Sequence, residues 1–126
     1  MEQIDKYFEN IIPFPLGQKK FIKEQSLIIS FFNYHFPELD ELHELDIHLE
    51  KVVEEAKIGF YDGHEINMDG PDGTLYLYGP DAGKLFDLVK PILENTKWMK
   101  GAVATLDFGG PVDNPNHLEI EIEVRD

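Results

Sequence analysis

The chain has 126 residues, of which 42% are hydrophobic and 12% aromatic, enough for the core of one compact domain and too many for an intrinsically disordered chain. Its 25 acidic residues outnumber its 11 basic ones and give a formal net charge of −14. This charge argues against nucleic acid and anionic membranes as partners; it favours a basic protein or a cation, or it serves solubility alone. The chain contains no cysteine, which excludes disulfides, a thiolate nucleophile and cysteine-ligated zinc.

The N-terminal residues lack the basic stretch and apolar run of a secretory signal. No apolar run reaches the roughly 20 residues of a membrane-spanning helix. We therefore expect a cytoplasmic protein without a cofactor, folded as a single α+β domain over residues 1–126. Residues 1–25 are expected to form an N-terminal extension and residues 26–126 the body. Acids and lysines balance within residues 1–30, so the negative excess belongs to the body.

The first half of the chain contains two helical patterns and one strand pattern. Residues 1–12 predict a short amphipathic helix, which Pro13 and Pro15 end. The run 27–34 is apolar on both faces and rich in β-branched and aromatic residues, which predicts a central strand. Over residues 38–56 apolar side chains recur every three or four positions, which predicts a helix whose other positions are mostly acidic.

A hairpin and a second helix follow. Residues 58–68 predict a strand in which Gly63 indicates a bulge. After a dense turn signal, the strict alternation of residues 74–78 predicts the return strand. A helix is predicted to begin at about Asp81, and Pro91 is expected to kink it or shorten it to about ten residues.

Two more strands, at residues 102–108 and 118–124, are predicted to close the chain. The order strand, helix, strand, strand, helix, strand, strand predicts an α+β, ferredoxin-like sandwich. In this fold a five-stranded antiparallel sheet has both helices on one face. The expected strand order across the sheet is 5-4-1-3-2.

Alternation assigns the strand side chains to a core face under the helices and an open face opposite. The core face is predicted to contain Leu27, Ile29, Phe31, Phe60, Leu75, Leu77, Ala104, Leu106, Ile120 and Ile122. The open face is predicted to contain Ile28, Phe32, Tyr34, Tyr61, Tyr76, Tyr78, Thr105, Asp107, Glu119, Glu121 and Glu123. Its aromatic middle either stabilises the sheet by cross-strand pairing or forms a recognition or dimer surface. The glutamates of the last strand either discourage edge-to-edge pairing or dock Lys and Arg of a partner.

Two histidine-containing patterns were candidates for chemistry. His43 and His48, five positions apart on the first helix, point about 140° apart, which does not suit a shared metal site. The segment Asp62-Gly63-His64-Glu65 combines two carboxylates with an imidazole near the expected bulge. These residues suit a divalent ion or acid–base work, or they are ordinary polar residues at a hairpin end. No phosphate loop or serine-nucleophile elbow is present, and we expect no catalytic residue.

The middle of the chain, residues 59–108, resembles a group of small uncharacterised bacterial proteins. The resemblance rests on Tyr61-Asp62-Gly63-His64-Glu65-Ile66, Leu75-Tyr76-Leu77-Tyr78-Gly79-Pro80-Asp81-Ala82, Pro91-Ile92-Leu93 and Lys100-Gly101-Ala102. It implies no activity and no site residues. A short, acidic, cysteine-free α+β protein is also similar in type to bacterial toxin-immunity proteins, which neutralise basic nuclease toxins by occupying them.

These observations predict a non-enzymatic acidic binding protein that engages a basic protein partner. One version is an immunity protein against a basic toxin, and a homodimer through the open face is compatible with it. The predicted partner-binding residues are Phe32, Tyr34, Glu44, Tyr61, Tyr76, Tyr78, Asp107, Glu119 and Glu121. The alternative is a small metal- or ligand-binding enzyme that uses Asp62, His64 and Glu65.

Overall fold

A computed structural model describes residues 24–109 and 116–125. The predicted helix over residues 1–12 lies outside this part of the chain. The elements in chain order are β1 (Gln25–Phe31), α1 (Asp40–Ala56), β2 (Phe60–Ile66), β3 (Gly73–Gly79), α2 (Ala82–Glu94), a 3-10 turn (Lys97–Met99), β4 (Val103–Asp107) and β5 (His117–Glu121).

The five strands form one antiparallel sheet in the order β2-β3-β1-β4-β5. This is the predicted order 5-4-1-3-2, and the α+β class is confirmed. The central strand β1 pairs with β3 on one side and β4 on the other, so Ile28 lies between Tyr76 and Thr105. This connectivity, a split β-α-β unit used twice, is the one on which the ferredoxin-like prediction rests.

One hydrophobic core joins both helices to one face of the sheet. Side chains with no exposed surface come from the inward positions of the strands and from the apolar stripes of the helices: Leu27, Ile29, Leu75, Leu77, Leu42, Leu49, Val53, Leu85, Val89 and Leu93. Burial of each contributes about 1.5–3 kcal/mol relative to exposure. The opposite face of the sheet is not packed against α1 or α2.

Helix α1 forms where the apolar periodicity predicts it, and its C-terminus has an unusual backbone conformation. Asp40 and Glu41 in the first turn complement the positive end of the helix dipole. At the other end, Lys57 takes the left-handed conformation with φ of 58°, and its N–H bonds to the carbonyls of Val53 and Glu54. These contacts satisfy two of the last carbonyls without the glycine usually found there.

Helix α2 begins at the predicted cap but runs longer than predicted. The Asp81 carboxylate accepts a hydrogen bond from the Lys84 N–H at 3.1 Å. Pro91 was predicted to kink the helix or to shorten it to about ten residues; the shortening is wrong, because the helix runs through Pro91 and has 13 residues. Leu93, after the proline, is fully buried, and the Asn95 N–H bonds to the Pro91 carbonyl at 3.2 Å. The stabilisation from packing the last turn into the core outweighs the loss of the one backbone hydrogen bond that proline cannot donate.

The bulge predicted at Gly63 is present, and it corrects the predicted faces of β2. Tyr61 lies opposite Leu77 on the core face, and the register then shifts so that Gly63 pairs with Tyr76. Gly63 has φ of 101°, a conformation that favours glycine. The extra residue reverses the alternation, so odd positions face the helices before the bulge and even positions after it.

Two assignments were therefore wrong. Phe60 was predicted on the core face, but it is 47% exposed and its ring lies against Tyr78. Tyr61 was predicted on the open face, but its hydroxyl reaches Asp46 of α1 on the helix side of the sheet.

Tyr34 was also predicted on the open face, and this is wrong because β1 ends at Phe31. The Tyr34 side chain is only 4% exposed and packs edge-on against Trp98, with ring centroids 4.9 Å apart. Its hydroxyl donates to the Glu38 carbonyl at 2.6 Å and accepts from the Leu42 N–H at 3.3 Å. Tyr34 thus satisfies backbone groups at the start of α1 and is part of the core.

Candidate functional site

The open face of the sheet keeps a smaller aromatic group than predicted. Tyr76 and Tyr78 lie on this face, with Phe60 beside Tyr78 at a centroid distance of 5.5 Å. The Tyr76 hydroxyl donates to the Glu65 carboxylate of the neighbouring strand at 2.6 Å. Phe32, directly after β1, is 52% exposed. These cross-strand contacts favour the interpretation that the aromatic residues stabilise the sheet.

The predicted acidic residues at the β5 side of this face have different structural roles. Asp107 accepts a hydrogen bond from the Gly109 N–H at 2.9 Å, which fixes the turn after β4. Glu119 and Glu121 are exposed on β5, the outermost strand of the described sheet. Their position suits protection of an edge strand against pairing with another chain.

The helix side of the molecule has a denser acidic surface. Helix α1 exposes six carboxylates, which we call the acidic face of α1: Asp40, Glu41, Glu44, Glu50, Glu54 and Glu55. Lys51 is the one basic residue of this helix. Within residues 24–109 and 116–125, the only carboxylate of α1 in an ion-pair contact is the half-buried Asp46.

A cleft between α1 and the end of α2 adjoins this surface. It has a volume of about 540 Å³, and we call it the helix cleft; it is lined by Phe36, Glu41, Glu44, Leu45, His48, Pro91, Ile92, Asn95, Thr96, Lys97 and Trp98. Leu45 and Trp98 form an apolar floor and are 6% and 7% exposed. Glu41 and Glu44 line it from α1, and Lys97 is the one lysine or arginine among the described residues that line it. The predicted partner residue Glu44 thus lies at the helix cleft, on the opposite side of the sheet from Tyr76.

A second group of polar side chains, the histidine cluster, lies where α1 crosses β2. It consists of His43, Asp46 and His64, each with one ligand atom within 4.8 Å of the others. His64 Nδ1 lies 2.8 Å from Asp46 Oδ2, and the rings of His43 and His64 have centroids 6.1 Å apart. Two imidazoles and a carboxylate at this spacing can hold a divalent ion.

Tyr61 completes the contacts of the cluster. Its hydroxyl donates to Asp46 Oδ1, while the other oxygen of this carboxylate, Oδ2, lies 2.8 Å from His64 Nδ1. Burial, and then the hydrogen bond to Asp46, raise the pKa of the Tyr61 phenol well above its ordinary value. Tyr61 therefore stays protonated and remains a hydrogen-bond donor at physiological pH.

The structure does not bring together the predicted trio Asp62, His64 and Glu65. His64 turns toward α1, whereas Glu65 bonds to Tyr76 on the open face. Asp62 occupies the bulge and lines a cleft of about 370 Å³ beside His64.

Sequence reasoning considered His43 only together with His48 and missed Asp46, although His43 and Asp46 are the residues that His64 meets. Their spacing of three positions places them on one face of α1, and this was the available signal. The link to His64 depends on how α1 crosses β2, which local patterns do not reveal.

Comparisons with known proteins found no matching family model, no matching curated protein and no matching solved structure. The resemblance of residues 59–108 to small bacterial proteins therefore stays a prediction. None of the helices in the described ranges has the length and apolar character required to cross a membrane.

Proposed function

We propose that this chain is a non-enzymatic binding protein that engages a basic protein through the helix cleft and the acidic face of α1. The observation that carries the proposal is the combination of an apolar floor with carboxylates that have no ion-pair partner among the described residues. Charge alone would serve solubility, but the cleft adds a place for a specific side chain.

The cleft has the chemistry of a receptor for lysine or arginine side chains. These side chains bury an aliphatic stem on apolar surface while the charged group stays at a polar rim. Here Leu45 and Trp98 supply the apolar surface, and Glu44 supplies a carboxylate. Asn95, the residue that caps the C-terminus of α2, also lines the cleft. The negative end of the α2 dipole therefore favours a positive charge there.

The net charge supports the same partner class at longer range. A formal charge of −14 attracts a basic protein and accelerates its encounter with the acidic face of α1 at low salt. A basic toxin is one protein with the charge that this surface would attract. We therefore propose, more specifically, a cytoplasmic immunity protein against such a toxin.

Two charge-reversal variants of equal net charge distinguish the helix cleft from the open face. Glu41→Lys/Glu44→Lys changes the cleft, and Glu119→Lys/Glu121→Lys changes β5 on the opposite face; all four residues are exposed. Wild type and both variants are used to capture proteins from a lysate of the source organism at about 50 mM and about 500 mM salt.

We expect a basic protein to bind wild type at low salt only, to be lost from the α1 variant, and to be kept by the β5 variant. Equal loss from both variants would show that only net charge matters. Loss from the β5 variant alone would place the partner on the open face, and retention by all three would contradict electrostatic docking.

A further inference from the structure

The histidine cluster has a chemistry that the proposed docking function does not use. We propose that His43, Asp46 and His64 bind one divalent transition-metal ion of the zinc type. Among the residues that the structure describes, no other three His, Asp or Glu side chains bring ligand atoms within the same 4.8 Å. The proposal does not depend on the helix cleft or on its partner.

The elements of the fold place the three ligands. His43 and Asp46 are three positions apart on α1 and project from one face of the helix. His64 comes from β2, where the bulge turns its side chain toward α1. Two ligand atoms of a tetrahedral zinc ion, each about 2.1 Å from it, lie about 3.4 Å apart, so the side chains must adjust slightly around the ion. His43 is exposed and can rotate to do so.

Asp46 and His64 already lie side by side. His64 Nδ1 and Asp46 Oδ2 are 2.8 Å apart, so both ligand atoms lie on the same side of the cluster and need to separate only slightly to admit an ion between them. Asp46 Oδ1 is meanwhile fixed by the Tyr61 hydroxyl, a contact that the ion leaves in place. Hydrogen bonds of this kind orient a ligating carboxylate and support metal affinity.

The donor set selects the class of metal. Two imidazole nitrogens and one carboxylate oxygen suit zinc and its first-row neighbours, whereas calcium and magnesium prefer oxygen ligands alone. Three protein ligands leave a coordination position for water or for a further group. Asp62 lines the same cleft, and its carboxylate with that of Glu50 attracts cations to it. The side chains of His64 and Asp46 are 18% and 21% exposed, so an ion can reach them.

The first test is a titration of the full-length protein with Co²⁺, followed by Zn²⁺. We expect visible absorption bands that saturate at one Co²⁺ per chain and disappear when one equivalent of Zn²⁺ displaces it. His43→Ala removes an exposed ligand, so the variant should fold, and it should weaken Zn²⁺ binding by roughly 10-fold or more. His35→Ala and His117→Ala are the matched controls, because both histidines are exposed outside the cluster.

The second test first removes the Tyr61 hydroxyl, which orients the ligand Asp46, and then changes Asp46 itself. Tyr61→Phe should weaken Zn²⁺ binding by roughly 10-fold while the stoichiometry stays at one. Asp46→Asn should abolish saturable binding, with circular dichroism used to verify the fold. Absence of a saturable 1:1 complex in wild type would overturn the proposal. Equal weakening by the His35 or His117 variant would also overturn it, since binding would then be scattered over surface histidines.

Discussion

The hydroxyl of Tyr61 connects the core to the polar cluster under α1. Burial of this phenol, and then its hydrogen bond to Asp46, raise its pKa above the ordinary value of 10.0. A group whose pKa is raised on folding stabilises the folded state below its unfolded pKa and loses that contribution as pH rises. The unfolded chain ionises Tyr61 above about pH 10, whereas the folded chain keeps the proton.

We therefore predict that wild type loses stability between pH 9 and pH 11 more steeply than Tyr61→Phe does. The extra slope should be at most about 1.4 kcal/mol per pH unit above pH 10. At pH 7 the variant should be less stable by about 1 kcal/mol because Asp46 loses a donor. Urea unfolding across this pH range measures both effects. Tyr78→Phe, on the open face, is the control. If the unfolding free energy of Tyr61→Phe fell with pH as steeply as that of wild type, the raised pKa of Tyr61 would be contradicted.

At the scale of elements, two side chains satisfy backbone donors at the N-terminus of α2: the Gln25 amide oxygen accepts the Ala82 N–H at 2.8 Å, and the Asp81 carboxylate is the N-cap. Asp81 accepts the Lys84 N–H, whereas Asp87, exposed in the same helix, makes no capping contact. Asp81→Ala should lower the free energy of unfolding by about 1 kcal/mol, and Asp87→Ala should change it by less than about 0.5 kcal/mol. Chemical denaturation compares the two. Equal effects would mean that charge, and not capping geometry, stabilises the start of α2.

Strand β2 shows how one local irregularity changes an element. Its existence and the bulge at Gly63 were predictable from the glycine within an otherwise extended pattern. The faces were assigned as though the alternation continued unbroken, which put Phe60 inside and Tyr61 outside.

The same bulge makes Gly63 sensitive to substitution because of its backbone conformation and not because of steric crowding. Gly63→Ala meets no atom within 4 Å of the added Cβ, but φ of 101° is strained for any L side chain. We predict a loss of about 1–2 kcal/mol in unfolding free energy, measured by urea denaturation. Gly59→Ala is the comparison, because its Cβ would lie 2.2 Å from the Tyr78 carbonyl oxygen as well as being strained. It should be clearly worse, and a neutral Gly63→Ala would contradict the bulge geometry.

At the scale of the whole molecule, the α+β class and the strand order followed from periodicity, turn signals and the rules of connection. The sites did not follow in the same way, because they combine residues that only the tertiary fold brings together. The predicted partner residues fall on two sides of the sheet, with Glu44 at the helix cleft and Tyr76, Tyr78, Glu119 and Glu121 on the open face. Tyr34 belongs to the core. A single partner surface therefore requires a choice between the two sides.

The helix cleft contains a reporter for that choice. Trp98 is the only tryptophan of the chain and lies in the floor of the cleft. Its indole N–H gives one resonance in the spectrum of the ¹⁵N-labelled protein, and an unlabelled partner adds none. The signal therefore reports occupancy of the helix cleft directly.

The most direct measurement is an NMR titration of the ¹⁵N-labelled protein with the unlabelled basic protein that it captures at low salt. The account predicts that the Trp98 indole and the backbone amides of Glu41 and Glu44 shift progressively and return to their free positions at about 500 mM salt. An unchanged Trp98 indole, with shifts confined to Tyr76, Tyr78 and strand β5, would contradict docking at the helix cleft.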